Sequence, residues 1–207
     1  MASSISRQWI MIVTELNLVF LHPSKTGGTS VEKALLSALL RGPLSDLERK
    51  HYAIWDKGSS QHWPLAHLLR RRPEVANYRQ VMTVRHPYHR FVSEFNYQVA
   101  GNRYKVSPFE QFYRSNDVNG AILSGALWQC KYPWHGAKQC DYLGATTEIM
   151  RLETLSQDWA RCFPEFEALP HEMKSRSVVT VADLDDEAKA ELVRRYEEDF
   201  RVFNYEP

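Results

Sequence analysis

The stretch FLHPSKTGGTS, residues 20–30, joins the end of an apolar run to the start of an amphipathic one. Before it, NLVFLH (Asn17 to His22) is short, apolar and closed by Pro23, which predicts a buried strand. After it, SVEKALLSALL (Ser30 to Leu40) sets Val31, Ala34, Leu35, Ala38 and Leu39 on one helical face, and Gly42 with Pro43 ends the helix. A strand, a glycine turn and a helix start in that order form an anion site, because the first N–H groups of a helix lack partners and its dipole favours negative charge there. Gly27 and Gly28 allow close backbone approach, Lys25 adds a full positive charge, and the Thr29 and Ser30 hydroxyls can donate to phosphate oxygens. The order is not that of a nucleoside-triphosphate loop. There the lysine follows the last glycine and a hydroxyl next to it holds magnesium, whereas Lys25 precedes both glycines and position 20 is phenylalanine.

The rest of the chain continues the alternation of strands and helices. YRQVMTV (Tyr78 to Val84) predicts a second buried strand and PYHRFVSEFNYQV a long helix stopped by Gly101 and Asn102. PLAHLLRRR predicts a helix with Pro64 at its first position, and a short strand is expected around Tyr52 to Trp55 in an otherwise loop-like Ser45 to Ser60. Ser107, Pro108 and Glu110 form a capping box at another helix start. EIMRLETL (Glu148 to Leu155) predicts a third strand that passes into a helix at LSQDWARCF, and DLDDEAKAELVRRYEEDFRVF a last helix with acidic residues in its first turn. This alternation implies an α/β fold: a central parallel sheet with helices on both faces, a three-layer sandwich of P-loop type.

The chain has 207 residues, 43% of them hydrophobic and 25% charged, with a formal charge of +1. These totals fit one globular domain over residues 1–207, with 1–15 a flexible N-terminal segment, and give no general attraction to nucleic acid. WIMIV (Trp9 to Val13) is far too short to span a bilayer, so the expectation is a cytoplasmic protein, or a Golgi lumenal one if an anchor lies outside this sequence. Cys130, Cys140 and Cys162 show no CxxC spacing. Free thiols are expected, with a Cys130–Cys140 loop disulfide as the alternative.

HPSKTGGTSVEKAL resembles the 5'-phosphosulfate loop of sulfotransferases that use 3'-phosphoadenosine 5'-phosphosulfate (PAPS), and is especially similar to the PKTGGTS loop of the carbohydrate (type 2) branch. That branch includes the heparan sulfate O-sulfotransferases. VMTVRHPYHRFVSEF matches the family's second donor element, R-x-P-x-x-R-x-x-S, with Arg85 ending a strand, Pro87 opening a helix, Arg90 in register and Ser93 eight residues beyond Arg85. The resemblance implies that Lys25, Thr26, Gly27, Gly28, Thr29 and Ser30 hold the 5'-phosphosulfate, and that Arg85 and Ser93 hold the 3'-phosphate. A dianionic phosphate suits a planar bidentate cation paired with a short directional donor. QCDYLG, IMRLETLSQDW and the ending YEEDFRVFNY are further echoes of the family.

Sulfuryl transfer resembles phosphoryl transfer in depending on positioning and charge stabilisation, and this scheme requires no metal. Lys25 would stabilise charge on the departing 3'-phosphoadenosine 5'-phosphate (PAP). An acceptor hydroxyl needs a base that works near neutrality, which suits histidine. His62 resembles the position of that base in the 6-O-sulfotransferases; His51 and Glu32 are the alternatives, and a helix-capping or cleft-lining role is the bland reading of His62. His22, His86 and His89 are assigned no chemistry. The acceptor is a glycan or a small molecule: LLRRRP (Leu68 to Pro73), Trp63, Trp128, Tyr132, Trp134 and His135 could contact it or simply pack. The competing functions are a P-loop small-molecule kinase and a nucleotide-binding protein without catalysis.

Overall fold

The computed structural model describes residues 12–13, 16–39, 62–101, 110–129, 133–169 and 177–207. The expected strand at Tyr52 to Trp55, the Ser107–Pro108 part of the capping box, His51, Cys130 and Tyr132 lie outside them. In chain order the principal elements are β1 (Ile12–Val13), β2 (Leu18–Leu21), α1 (Gly28–Leu39), α2 (Leu65–Arg71), β3 (Arg79–Val84), α3 (Pro87–Ala100), α4 (Glu110–Arg114), α5 (Val118–Leu123), β4 (Glu148–Arg151), α6 (Leu155–Cys162) and α7 (Asp186–Val202).

The four strands form one sheet in the order β1-β2-β3-β4. β2 and β3 run parallel with Leu18 opposite Arg79 and Leu21 opposite Met82, and β4 continues in parallel with Val84 opposite Arg151. β1 is antiparallel to β2, with Ile12 opposite Val19. The sheet is therefore mixed, which corrects the all-parallel expectation. The physical reason is connection length: four residues separate Val13 from Leu18 in the sequence, whereas a parallel crossover needs about a dozen or more.

Side chains alternate across β2 as period-two geometry requires. Leu18 and Phe20 pack with Val31, Ala34 and Leu35 of α1 and with Trp159 and Cys162 of α6. Val19 and Leu21 pack on the opposite face with Leu65 and Leu68 of α2, Tyr142 and Phe203. Helices thus cover both faces, and every residue of β2 is buried. Pro64 sits at the N-cap of α2 rather than inside it, its carbonyl accepting from the His67 and Leu68 N–H groups at 3.0 Å.

A third cluster joins α3, α5 and α7 through Phe91, Phe95, Val118, Ile122, Leu192 and Phe200. Pro87 opens α3 and Gly101 closes it, as the sequence predicts. Asp185 caps α7 by accepting the Ala188 N–H at 2.8 Å. Trp128 belongs to this cluster, 5.7 Å from the Phe91 ring and beneath the Arg195 guanidinium at 4.2 Å, so it packs rather than lines a cleft. Cys140 and Cys162 carry free thiols. Burial, then the Asp199 carboxylate, pushes the Cys140 thiol up to about 12.

Candidate active site

Parallel pairing of β2 with β3 sets their C-terminal ends side by side, where ligands of open α/β sheets bind. The 22–27 loop leaves β2 there, and nearly all of its carbonyls are held by protein donors. His62 Nδ1 lies 2.7 Å from the His22 carbonyl and Thr26 Oγ1 donates to the Pro23 carbonyl at 2.6 Å. Arg90 Nε donates to Ser24 at 3.0 Å, Arg85 Nη1 to Lys25 at 3.3 Å, and the Ser30 N–H to Gly27 at 3.1 Å. In a trans peptide the N–H points opposite to the carbonyl. With these carbonyls held by protein donors, the N–H groups of Ser24, Lys25, Thr26 and Gly28 point away from those donors, the orientation that a backbone anion nest requires. The Ser30 N–H, expected to face an anion, is instead spent on Gly27.

Lys25 has φ 63° and Gly27 φ 83°, so two left-handed residues flank Thr26. For lysine this conformation costs roughly 1–2 kcal/mol, offset by the bonds just described. Gly27 tolerates its φ and has no room for a side chain: a Cβ would lie 2.5 Å from Leu152 Cδ1. A Cβ on Gly28 would fall 2.0 Å from the His22 ring, so that glycine serves the close packing of His22 beneath the helix start. Thr26 is fully buried and its hydroxyl also lies 2.7 Å from Thr83 Oγ1 on β3, so that hydroxyl is spent within the protein. Thr29 and Ser30 are half-buried on the first turn of α1.

Arg85 follows β3 directly. Its N–H donates to Gln139 Oε1 at 2.8 Å and its carbonyl accepts from Gln139 Nε2 at 2.9 Å; Gln139 is itself fixed by its N–H to Asp199 at 2.9 Å. Burial lowers the pKa of the Arg85 guanidinium, with Glu153 and Tyr205 opposing. Arginine still remains charged at neutral pH. Ser93 is half-buried on α3, and its hydroxyl makes no hydrogen bond with the described residues.

Arg90 is fully buried and ties the loop to the rest of the site. Besides Ser24 it donates to the His135 carbonyl at 3.0 Å and the Ala137 carbonyl at 2.8 Å, with Asp199 Oδ2 at 3.9 Å. The sequence pattern marked this arginine without giving it a task.

Three buried imidazoles stand in a row beside the loop. His22 and His62 have ring centroids 4.7 Å apart, and His62 and His135 5.0 Å. The row ends in carboxylates at both sides: His22 Nδ1 lies 3.3 Å from Glu32, and His135 Nδ1 3.0 and 3.1 Å from the two Glu94 oxygens. Because a carbonyl only accepts, His62 Nδ1 carries the proton and Nε2 the lone pair. Burial, then the His22 and His135 rings, holds the His62 pKa well below the ordinary 6.5, so His62 is neutral at physiological pH. Burial would raise Glu94, but the His135 hydrogen bond and charge and the Lys25 ammonium together lower it, so Glu94 is ionised. His62 was legible from the sequence; His22, His135 and Glu94 were not, since nothing local in YPWHG or VSEF announces a shared pocket. Among the described residues no three His, Cys, Asp or Glu side chains group so as to hold a metal ion.

Next to the row, Trp63 and Trp134 sandwich His67, with ring centroids 4.7 and 5.2 Å away, and the Arg71 guanidinium lies 5.3 Å from the Trp63 ring. Arg70 and Arg71 are exposed. No described helix is long and apolar enough to cross a membrane.

In comparisons with known proteins, the profile described as the Sulfotransferase family matches residues 8–131, more than half of the chain. Neither a curated protein nor a solved structure matches. The matched segment carries the 22–30 loop, His62, Arg85, Arg90 and Ser93, the residues on which the resemblance to the carbohydrate branch was drawn. The chain belongs to the sulfotransferase family, in its carbohydrate (type 2) branch.

Proposed function

We propose that this protein transfers the sulfuryl group of PAPS to a hydroxyl of a glycan or small-molecule acceptor, within a single P-loop-type domain. The observation that carries the reading is the inward pinning of the loop carbonyls, which leaves a nest of N–H groups beside Lys25 for the 5'-phosphosulfate. Thr26, Gly27, Gly28, Thr29 and Ser30 complete that cradle. Arg85, whose guanidinium already reaches the Lys25 carbonyl, and Ser93 hold the 3'-phosphate.

The acceptor oxygen forms its bond to sulfur as the bond from sulfur to the bridging phosphate oxygen breaks, and PAP departs. His62 takes the hydroxyl proton at Nε2, and Lys25 stabilises the electron pair left on the bridging oxygen. The neutral state of buried His62 suits a general base. The rings of Trp63 and Trp134, with Arg71, offer the acceptor an apolar and cationic wall.

The kinase reading loses support from Thr26. In a nucleoside-triphosphate loop the hydroxyl after the lysine holds magnesium, but here that hydroxyl is spent on Pro23 and Thr83. Calorimetric titration of the chelator-treated protein tests the proposal, with PAP, with the analogue lacking the 3'-phosphate, and with ATP and magnesium. Binding of PAP that depends on its 3'-phosphate is expected; preference for magnesium-ATP would overturn the reading.

A further inference from the structure

Glu94 lies on the face of α3 that the site uses, one residue past Ser93 and one turn before Tyr97. It is almost fully buried, which for a carboxylate calls for partners. On one side both its oxygens contact His135 Nδ1, at 3.0 and 3.1 Å. Its Oε1 also accepts from Gln98 Nε2 at 3.1 Å. On the other side the Lys25 ammonium rests 4.2 Å from the Tyr97 ring centroid, and the same ring stands 6.1 Å from the His135 ring. Lys25, Tyr97, Glu94 and His135 therefore form one patch between the phosphate loop and the imidazole row.

We propose that Glu94 is a positioning residue with two tasks: it fixes His135 against His62, and it draws Lys25 back over Tyr97 until a bound phosphate takes the ammonium. The inference rests on the sulfotransferase reading and adds to it a resting state of the lysine. Without a donor, the charge of Lys25 is met by the α3 face. With one, the lysine turns to the bridging oxygen, while Glu94 keeps the His135 ring, and through it the edge of His62, in place. Among the described residues, the charged and titratable groups at this patch are Lys25 from the loop, Tyr97 from α3 itself, His135, and Arg90 through the His135 carbonyl; behind His135 stand the His62 ring and then His22 with Glu32.

The full chain is titrated calorimetrically with PAP, and release of inorganic sulfate from PAPS to water is followed as an acceptor-independent rate. Glu94→Gln keeps the volume and removes the charge that competes for Lys25. It should bind PAP about 3- to 10-fold tighter than the wild type, yet release sulfate at least about tenfold more slowly as His135 loosens. Glu94→Asp, which retains the charge, should return PAP affinity to within about twofold of the wild type. A group that only supports the fold would weaken PAP binding when replaced, so weaker or unchanged binding in Glu94→Gln, or unchanged sulfate release, overturns the proposal. Should that variant fail to fold, NMR of the wild type decides. The Lys25 Cε protons should be shifted upfield by the Tyr97 ring and relax to ordinary values on saturation with PAP; shifts that do not move overturn it. Wild-type protein that does not bind PAP at all would remove the sulfotransferase reading itself, an outcome distinct from any failure of Glu94.

Discussion

Replacing Arg90 by leucine tests whether one buried cation holds the phosphate loop in shape. The substitution strands the carbonyls of Ser24 and Ala137, leaves the His135 carbonyl with the Ser24 hydroxyl alone, and leaves Asp199 without the positive charge 3.9 Å away. Breaking a buried ion pair from one side costs about 3–5 kcal/mol, and each orphaned carbonyl about 1–3 kcal/mol. These terms share neighbours and do not add, so a loss of about 4 kcal/mol or more is the expectation. Against a total of about 5–15 kcal/mol that is a large share. With a urea slope of about 1–3 kcal/mol per molar, the unfolding midpoint should fall by about 2 M. Arg90→Lys keeps the charge but cannot reach three carbonyls with a planar fork, and should lose roughly half as much. Urea unfolding followed by circular dichroism measures both. A loss below about 1 kcal/mol in Arg90→Leu would refute the stapling role, and with it the account of why the loop carbonyls face inward.

Gly27→Ala places a methyl in a left-handed conformation and against Leu152, so it should cost about 1–3 kcal/mol in thermal or urea unfolding and weaken PAP binding at least tenfold. Wild-type behaviour would mean the loop has another shape. Arg85→Ala should reduce PAP affinity to that of the analogue lacking the 3'-phosphate, whose own affinity should hardly change; equal losses for both ligands would argue for a general structural role. His62→Ala should lower sulfate release from PAPS about 100-fold while calorimetry finds PAP affinity within about twofold. The same histidine predicts a stability profile. Its folded pKa lies below the unfolded 6.5, so as pH falls the unfolded chain binds the proton first. The stability from neutral His62 is thus present above pH 6.5 and lost as pH falls through the lowered folded pKa. His62→Asn should flatten the urea-unfolding profile between pH 7 and 5, and an unaltered slope would place the acid sensitivity elsewhere.

The parts legible in the sequence are those whose cause is local. NLVFLH reads as a buried strand because each of its faces needs an apolar partner, and both faces of β2 have one. The stop at Gly101 and the start at Pro87 depend on single-residue stereochemistry and appear where expected. The antiparallel β1 escaped because two residues, Ile12 and Val13, carry no periodicity, and only their pairing with Val19 and Leu18 makes them a strand. Trp128 and Trp134 are alike in composition and neighbourhood, yet one packs on Phe91 while the other stands beside His67. The helix each faces decides this, and the residues around each do not.

The candidate site divides along the same line. Lys25, Gly27 and Gly28 stand out in the sequence because a strand-to-helix turn with a positive φ and a helix start packed on His22 has few residues to choose from. What shapes that loop comes from elsewhere: Arg90 is 66 residues from the Ser24 carbonyl it holds, and His62 is 40 residues from that of His22. A pattern match names Arg90 but cannot assign it, because a guanidinium on a phosphate and one on three carbonyls look identical in sequence. The same holds for the imidazole row. His22, His62 and His135 come from a strand end, a helix approach and a short turn, and each alone reads as an ordinary buried histidine. Only the 4.7 and 5.0 Å spacings, with Glu32 and Glu94 at the ends, make the row one buried cluster. The neutral state of His62 is then a property of the cluster: burial and two neighbouring rings oppose its protonation, and no feature of the residue itself does so.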